Sequence, residues 1–140
     1  MSLDAIITGA VAVQRTLTGI TVYDNAPEAL NDHLPAVVIY PEEGDVEWPR
    51  EPSKRTITHS LTMDFFASRG GDLAGADRLL KPYVNQVIAL FDQNITLQGS
   101  CLNAGIVKYK YGKLDYAGVE YLGIKFTLRA VELTQLVYKG

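Results

Sequence analysis

The side chains in this 140-residue sequence that are best suited to catalysis are two histidines, His33 and His59, and a single cysteine, Cys101. A hydrolase needs a nucleophile, a base and an orienting group held close together. His59 shares the alternation of an apolar strand pattern with Ile57 and Leu61, which predicts a core or sheet-edge histidine with local hydrogen bonds. Cys101 is predicted to be a small buried apolar residue. We therefore predict that the protein is not an enzyme and binds no cofactor.

Metal binding is also disfavoured by the residue types and their spacing. Zinc sites generally need four clustered nitrogen or sulfur ligands, and two separated histidines with one cysteine do not provide them. An acidic cluster could in principle bind calcium, but its spacing lacks the Asp/Asn-rich loop with a distal Glu; its members are Glu42, Glu43, Asp45 and Glu47. We predict no metal and interpret this cluster as solvated or facing a partner.

Two further patterns point to contacts with other macromolecules. Trp48 lies between Glu47 and Pro49, and it either folds back on the sheet or anchors a contact with another subunit. The segment 108–113 interleaves lysines with tyrosines, a pattern that could stack single-stranded bases. On a strand, however, the two residue types would lie on opposite faces, which predicts Tyr109 and Tyr111 inside and the lysines outside. The lysines would then meet an acidic partner surface.

Composition narrows the class of protein. The formal net charge of −3 argues against general affinity for the nucleic-acid backbone. One cysteine cannot form an internal disulfide, and the N-terminal region carries Asp4 but no Lys or Arg before Arg15, unlike a signal peptide. No uncharged apolar run approaches ~20 residues. These features predict an intracellular, soluble, single domain over 1–140, large enough for a core without disulfides or metal.

The hydrophobic periodicity predicts an α+β fold. The predicted order is a helix from Ser2 to Gly19, strands at Ile20–Tyr23 and Leu34–Tyr40, a charged loop at Pro41–Ser53, a strand at Lys54–Ser68, a helix after Gly70-Gly71-Asp72 through Phe91, and strands at Ala104–Lys113 and Val119–Leu133. Pro82 should kink or break the second helix, and the in-phase apolar stripe favours a kink. We predict a mainly antiparallel β-sheet with two α-helices packed on one face, only that face buried, and a long β-hairpin extension.

This layout resembles the tail terminator proteins of long-tailed bacteriophages, also called tail completion or tail-to-head joining proteins. The resemblance rests on the order of an N-terminal helix, LPAVVIYP, the charged hairpin, TITHSLTMDFFAS, GADRLLKPYVNQVIALFDQN and a closing strand that ends GIKFTLRAVE. It implies a homo-oligomeric ring, expected to be a hexamer, that caps the tail tube, ends polymerisation of the major tail tube protein and presents a surface to the head connector or neck protein. DNA would pass through without specific binding. The resemblance also implies location in the virion tail after assembly in the bacterial host cytoplasm.

A ring requires two unlike surfaces that match between copies. The predicted contact residues are the acidic and aromatic set Glu42, Glu43, Asp45, Glu47 and Trp48 with Arg50 and Arg55, and the basic set Lys108, Lys110 and Lys113. Lys125 and Arg129 would extend the basic set, and Leu136, Val137 and Tyr138 would add apolar contact. Two alternatives remain: a head-closure or neck protein, and a small dimeric α+β protein that binds a metabolite near His59, Asp64 and Tyr83.

Overall fold

The chain contains two helices and five strands in the computed structural model, which describes residues 1–30, 33–49, 53–69 and 73–136. The elements are α1 (Leu3–Gln14), β1 (Thr21–Tyr23), β2 (Ala36–Val46), β3 (Lys54–Arg69), α2 (Leu73–Asp92), β4 (Asn103–Tyr116) and β5 (Val119–Gln135). This is the order that the periodicity predicts. Neither helix, over the described residues, combines the length and apolar character needed to span a membrane.

The five strands form one sheet in the order β1-β2-β3-β5-β4. β1 pairs with β2 in parallel, and the other three neighbouring pairs are antiparallel. The sheet is therefore mixed but mostly antiparallel. The predicted α+β class with a mainly antiparallel sheet is confirmed at this level.

The larger hydrophobic cluster joins both helices to the sheet. Leu61, Met63 and Phe65 of β3 are fully or almost fully buried in it, and they pair with residues of β5 that are equally buried: Leu128, Phe126 and Ile124. From α1 and α2 the cluster takes buried residues at helical spacing, among them Ile6, Ala10, Val13, Val84, Val87 and Phe91. The face of the sheet that carries this cluster is called the inner face below.

The prediction that only one face of the sheet is buried is wrong. A second cluster lies on the opposite, outer face and contains Leu30, Ala36, Val38, Phe66 and Tyr121, all buried. Leu30 comes from the segment between β1 and β2, which the sequence presents only as a polar crossing. Since Leu30 is fully buried, this segment covers one end of the outer face and leaves the rest open.

The predicted charged loop Pro41–Ser53 is also wrong in its first half, because β2 continues to Val46. Its pairing with β3 shifts register between Pro41 and Glu43, so Glu42 is the extra residue of a β-bulge. Proline lacks a backbone donor and is normally confined to strand edges and bulges. Pro41 directly precedes the bulge, in a part of β2 that lies beyond the pairing with β1, which ends at Val38.

The structure confirms the predicted start of α1 but not its predicted end. The Ser2 hydroxyl accepts a hydrogen bond from the Ala5 N–H at 3.1 Å, which confirms the predicted N-cap. α1 ends at Gln14 and not at Gly19. α2 is one continuous helix through Pro82, so the alternative of a break into two shorter helices is wrong. The predicted N-cap at Gly70-Gly71-Asp72 lies outside the described residues.

Candidate interaction surface

The uncovered part of the outer face is a polar surface built by side-chain alternation on four strands. The register places on it Tyr40, Glu43 and Asp45 of β2, Thr58, Ser60, Thr62 and Asp64 of β3, Lys125, Thr127 and Arg129 of β5, and Lys108 and Lys110 of β4. Glu42 at the bulge also points there, because its Oε2 accepts a hydrogen bond from the Thr62 hydroxyl at 3.1 Å. Acidic side chains thus lie on the β2 side and basic ones on the β4 side.

The bulge decides where the acidic residues of β2 point. Without the extra residue at Glu42, strict alternation from Tyr40 would turn Glu43 and Asp45 to the inner face. With it, Glu43 pairs with Ser60 and Asp45 with Thr58, and both carboxylates join the outer face. Their exposed positions leave them available to a partner.

The basic side contains a like-charge pair. Lys110 of β4 lies directly opposite Lys125 of β5, an arrangement that is unfavourable unless anions lie nearby. Lys108, Lys110 and Lys125 line a groove of about 170 Å³ together with Glu42 and Thr127. Glu42 therefore faces the basic group within the same molecule, a role that the sequence argument gave to the acidic residues of a second copy.

Lys113, which the sequence groups with Lys108 and Lys110, points elsewhere. It pairs with Leu122 in the β4–β5 register, on the inner side, and its Nζ lies 3.3 Å from Oε1 of Glu120. Lys108, Lys110 and Lys113 do not share one face, because an odd number of positions separates Lys113 from the other two.

The two tyrosines between these lysines are not buried, contrary to the prediction. Tyr109 is 46% exposed and Tyr111 37% exposed, and their rings contact each other edge to face with centroids 5.7 Å apart. They point to the inner face opposite Phe126 and Ile124, but β4 is the last strand of the sheet. Because no described strand lies beyond β4, the side chains on its inner face are at the edge of the core and remain partly exposed to solvent.

A hydrogen-bonded group sits where the polar surface meets the second cluster. The Tyr40 hydroxyl donates to Oδ2 of Asp64 at 2.8 Å, and Lys125 Nζ lies 3.8 Å from Oδ1 of the same carboxylate. Burial raises the pKa of Asp64 above its ordinary value, although the Tyr40 hydrogen bond and Lys125 oppose this. Burial, together with the bond to Asp64, also raises the pKa of Tyr40. Tyr40 was not predicted as a site residue. Its contact with Asp64 depends on the register between β2 and β3, which the sequence pattern of either strand does not specify.

We expect Asp64→Asn to be more stable than the wild type at neutral pH. The raised pKa means that the ionised carboxylate costs folding free energy, a cost that is absent below the ordinary pKa of 3.8 and grows as the pH rises through the folded-state value. Asparagine keeps an acceptor for Tyr40 without the charge. Chemical denaturation at several pH values should show that the variant's gain in unfolding free energy over the wild type becomes smaller in acid. Asp45→Asn, at an exposed site, is the control; a less stable Asp64→Asn at neutral pH would contradict the assignment.

The hairpin end of the sheet carries Trp48, which is 87% exposed and does not pack back on the sheet. Around it lies a groove of about 290 Å³ lined by Glu47, Trp48, Pro49, Lys54, Arg55, Thr56 and Leu133. Arg55 is half-buried with no hydrogen-bond partner for its Nε, and the Thr56 hydroxyl donates to Glu47 Oε2 at 2.8 Å. An exposed indole beside the unpaired Nε of Arg55 is a surface suited to a partner.

Some predicted contact residues cannot be placed on this surface. Arg50, Val137 and Tyr138 lie outside the described residues. Leu136 is described, and its backbone N–H donates to the Ser53 carbonyl at 2.8 Å, so the chain stays beside the start of β3.

The residues suggested for a metabolite pocket do not converge. His59 and Asp64 point to opposite faces of β3, because an odd number of positions separates them. His59 Nε2 lies 2.9 Å from Oε2 of Glu132, and both side chains are largely buried. Tyr83 packs on Phe65, with ring centroids 4.6 Å apart. The prediction of a site formed by His59, Asp64 and Tyr83 is therefore wrong.

Acidic and sulfur ligands are also dispersed. Across residues 1–30, 33–49, 53–69 and 73–136, no group of three or more His, Cys, Asp or Glu side chains is close enough to hold a metal ion. Cys101 is buried, as predicted, and burial raises the pKa of its thiol. No protein-family model matches the chain, and a search of curated proteins found no significant match.

Proposed function

We propose that the protein is a structural subunit of the bacteriophage tail terminator type, which forms a homo-oligomeric ring on the tail tube. The observation that carries the proposal is the placement of an acidic strand, β2, and a basic strand, β4, on opposite sides of one sheet. A head-to-tail ring needs two unlike and complementary surfaces on each subunit. Charge complementarity then sets register and partner choice.

In this proposal α1 and α2 pack together on the inner face and form the rigid body of the subunit. The β2–β3 hairpin extends from that body and carries Trp48 at its end. Most of the binding free energy of a protein interface comes from a few residues, typically tryptophan, tyrosine or arginine. Trp48 and Arg55 would serve as anchors against the neighbouring subunit, beside the charge-paired strands.

The proposed ring does not hold DNA. Salt-dependent affinity for duplex DNA arises from lysine and arginine side chains that displace counterions from phosphates. The chain has an excess of acidic residues, with a formal net charge of −3, and Glu42 and Asp64 lie near the outer-face lysines. Such a ring would let DNA pass through without specific binding.

Electron microscopy of phage particles made without this gene tests the role. Loss of a terminator should yield tails of uncontrolled length that fail to join heads, and the purified protein added back should cap them. Tails of normal length would contradict the proposal. Normal tails that fail to join heads, together with co-purification of the protein with portal-adaptor complexes, would instead assign a head-closure or neck role.

A further inference from the structure

The sheet has two unpaired edges of unlike charge. β1 pairs only with Ala36–Val38, so among the described residues β2 presents an open edge from Ile39 to Val46. At the other side of the sheet, β4 is terminal over its whole length, Asn103–Tyr116, and no other described strand pairs with its outer edge. Open edges of this length readily accept a further strand from another chain.

The strand directions allow these two edges to meet between copies. β2, β3, β5 and β4 alternate in direction across the sheet, since each neighbouring pair is antiparallel. When subunits are placed side by side in a head-to-tail arrangement, β4 of one copy runs antiparallel to β2 of the next. The contact is heterologous, so it closes into a ring if the rotation per subunit permits.

The charges select this pairing over the alternatives. Two β2 edges brought together would oppose acidic residues to acidic residues, and two β4 edges would oppose lysines, both of which are unfavourable. Pairing β2 with β4 opposes the two signs. It also brings carboxylates to Lys110, which within one molecule faces another cation, Lys125.

We propose that β4 of one copy pairs with the β2 edge of the next in the register that sets Glu43 opposite Lys110 and Asp45 opposite Lys108. One antiparallel register satisfies both pairs, and all four side chains lie on the outer face. The same register places Tyr109 opposite Gly44 on the inner face, where an exposed ring covers a residue without a side chain. Pro41 and the bulge at Glu42 on β2, and the register shift at Val107 on β4, confine the regular pairing to Glu43–Asp45.

This inference rests on the proposed ring and identifies the contact that builds it. Charge reversal tests it in the full chain: Glu43→Lys alone and Lys110→Glu alone should each weaken subunit association about 100-fold, since opposed like charges cost several kcal/mol. The combined Glu43→Lys/Lys110→Glu chain restores the pair at every interface and should assemble again. Sedimentation and electron microscopy report the assembly. Matched reversals at exposed sites on α2, outside the sheet, Asp92→Lys and Arg78→Glu, should leave assembly unchanged.

Cysteine cross-linking measures the register directly. Facing residues of an antiparallel pair have Cα atoms about 4.5–5.5 Å apart, within the range of Cα separations that a disulfide spans. The Asp45→Cys/Lys108→Cys chain should therefore form a covalent ladder of oligomers on mild oxidation. An offset pair, Asp45→Cys/Lys113→Cys, should form much less. The native Cys101 is buried and does not compete.

The outcomes separate this inference from the proposed function. Rings that persist in both single reversals, without the covalent ladder, would overturn the edge contact while leaving a ring-forming subunit. A wild-type chain that does not assemble at high concentration, together with an Asp45→Cys/Lys108→Cys chain that does not cross-link, would overturn the edge contact. If such a chain also fails to cap tails, the proposed function falls with it.

Discussion

Gly123→Ala is expected to destabilise the fold by about 3 kcal/mol, because the added methyl group overlaps with atoms that cannot move freely. A Cβ at Gly123 would lie 2.1 Å from the backbone oxygen of Phe65 and 2.9 Å from Cδ1 of Leu114. Gly123 lies on β5 opposite Phe66 of β3 and Gly112 of β4. Relief of the overlap requires the central strands β3 and β5 to separate. Chemical denaturation with a constant m-value would measure the loss.

Gly112→Ala is the matched control, since Gly112 pairs directly with Gly123 and a Cβ there meets no atom within 4 Å. Alanine is intrinsically no worse than glycine in a strand, so this variant should equal or slightly exceed the wild type in stability. Equal effects of the two substitutions would show that the close approach at Gly123 does not constrain the sheet.

Trp48→Ala is expected to abolish stable assembly while leaving the folded subunit unchanged. The side chain is almost fully exposed, so its removal takes nothing from the core. At a protein concentration where both chains are monomeric, the Tm should therefore equal that of the wild type. A hot-spot tryptophan contributes at least ~2 kcal/mol to an interface, which corresponds to about a 30-fold weaker association at each contact. Analytical ultracentrifugation and a tube-capping assay by electron microscopy would measure the effect.

Trp48→Phe keeps most of the apolar area and should retain part of the assembly. Ile95→Ala removes another exposed apolar side chain, in the turn after α2, and should have no effect on either measurement. Full assembly of the Trp48→Ala chain would exclude the hairpin end from the contact. A drop in Tm at a protein concentration where both chains are monomeric would show that the indole packs within the subunit.

The proposed assembly has a physical basis in how the sheet manages its edges. Proteins commonly protect open edges with lysines, proline or a bulge, and all three devices occur here, on β4 and β2. Because lysines lie on the β4 edge and carboxylates on the β2 edge, pairing of two identical edges is unfavourable, while pairing of β2 with β4 remains favourable. Protection against aggregation and selection of a partner copy therefore come from the same residues.

Periodicity and local chemistry were enough to predict the elements and most of the core. Alternation in β3 and β5 identified the strand residues of the larger cluster, and Ser2 marked the start of α1. These features depend on neighbours in the chain, since a strand has a period of two and a cap satisfies donors a few residues away. The burial of Cys101 was likewise predicted from residue type.

Tertiary structure alone decided where the surface residues point and which edges are open. The bulge at Glu42 turned the acidic residues of β2 to the outer face, Leu30 created a second core there, and the edge position of β4 left Tyr109 and Tyr111 exposed. Each outcome depends on which strand lies beside which, and strand order arises from contacts between residues far apart in the chain. The local pattern of a segment holds no information on its neighbours in the sheet, so the interaction surface could not be located from it.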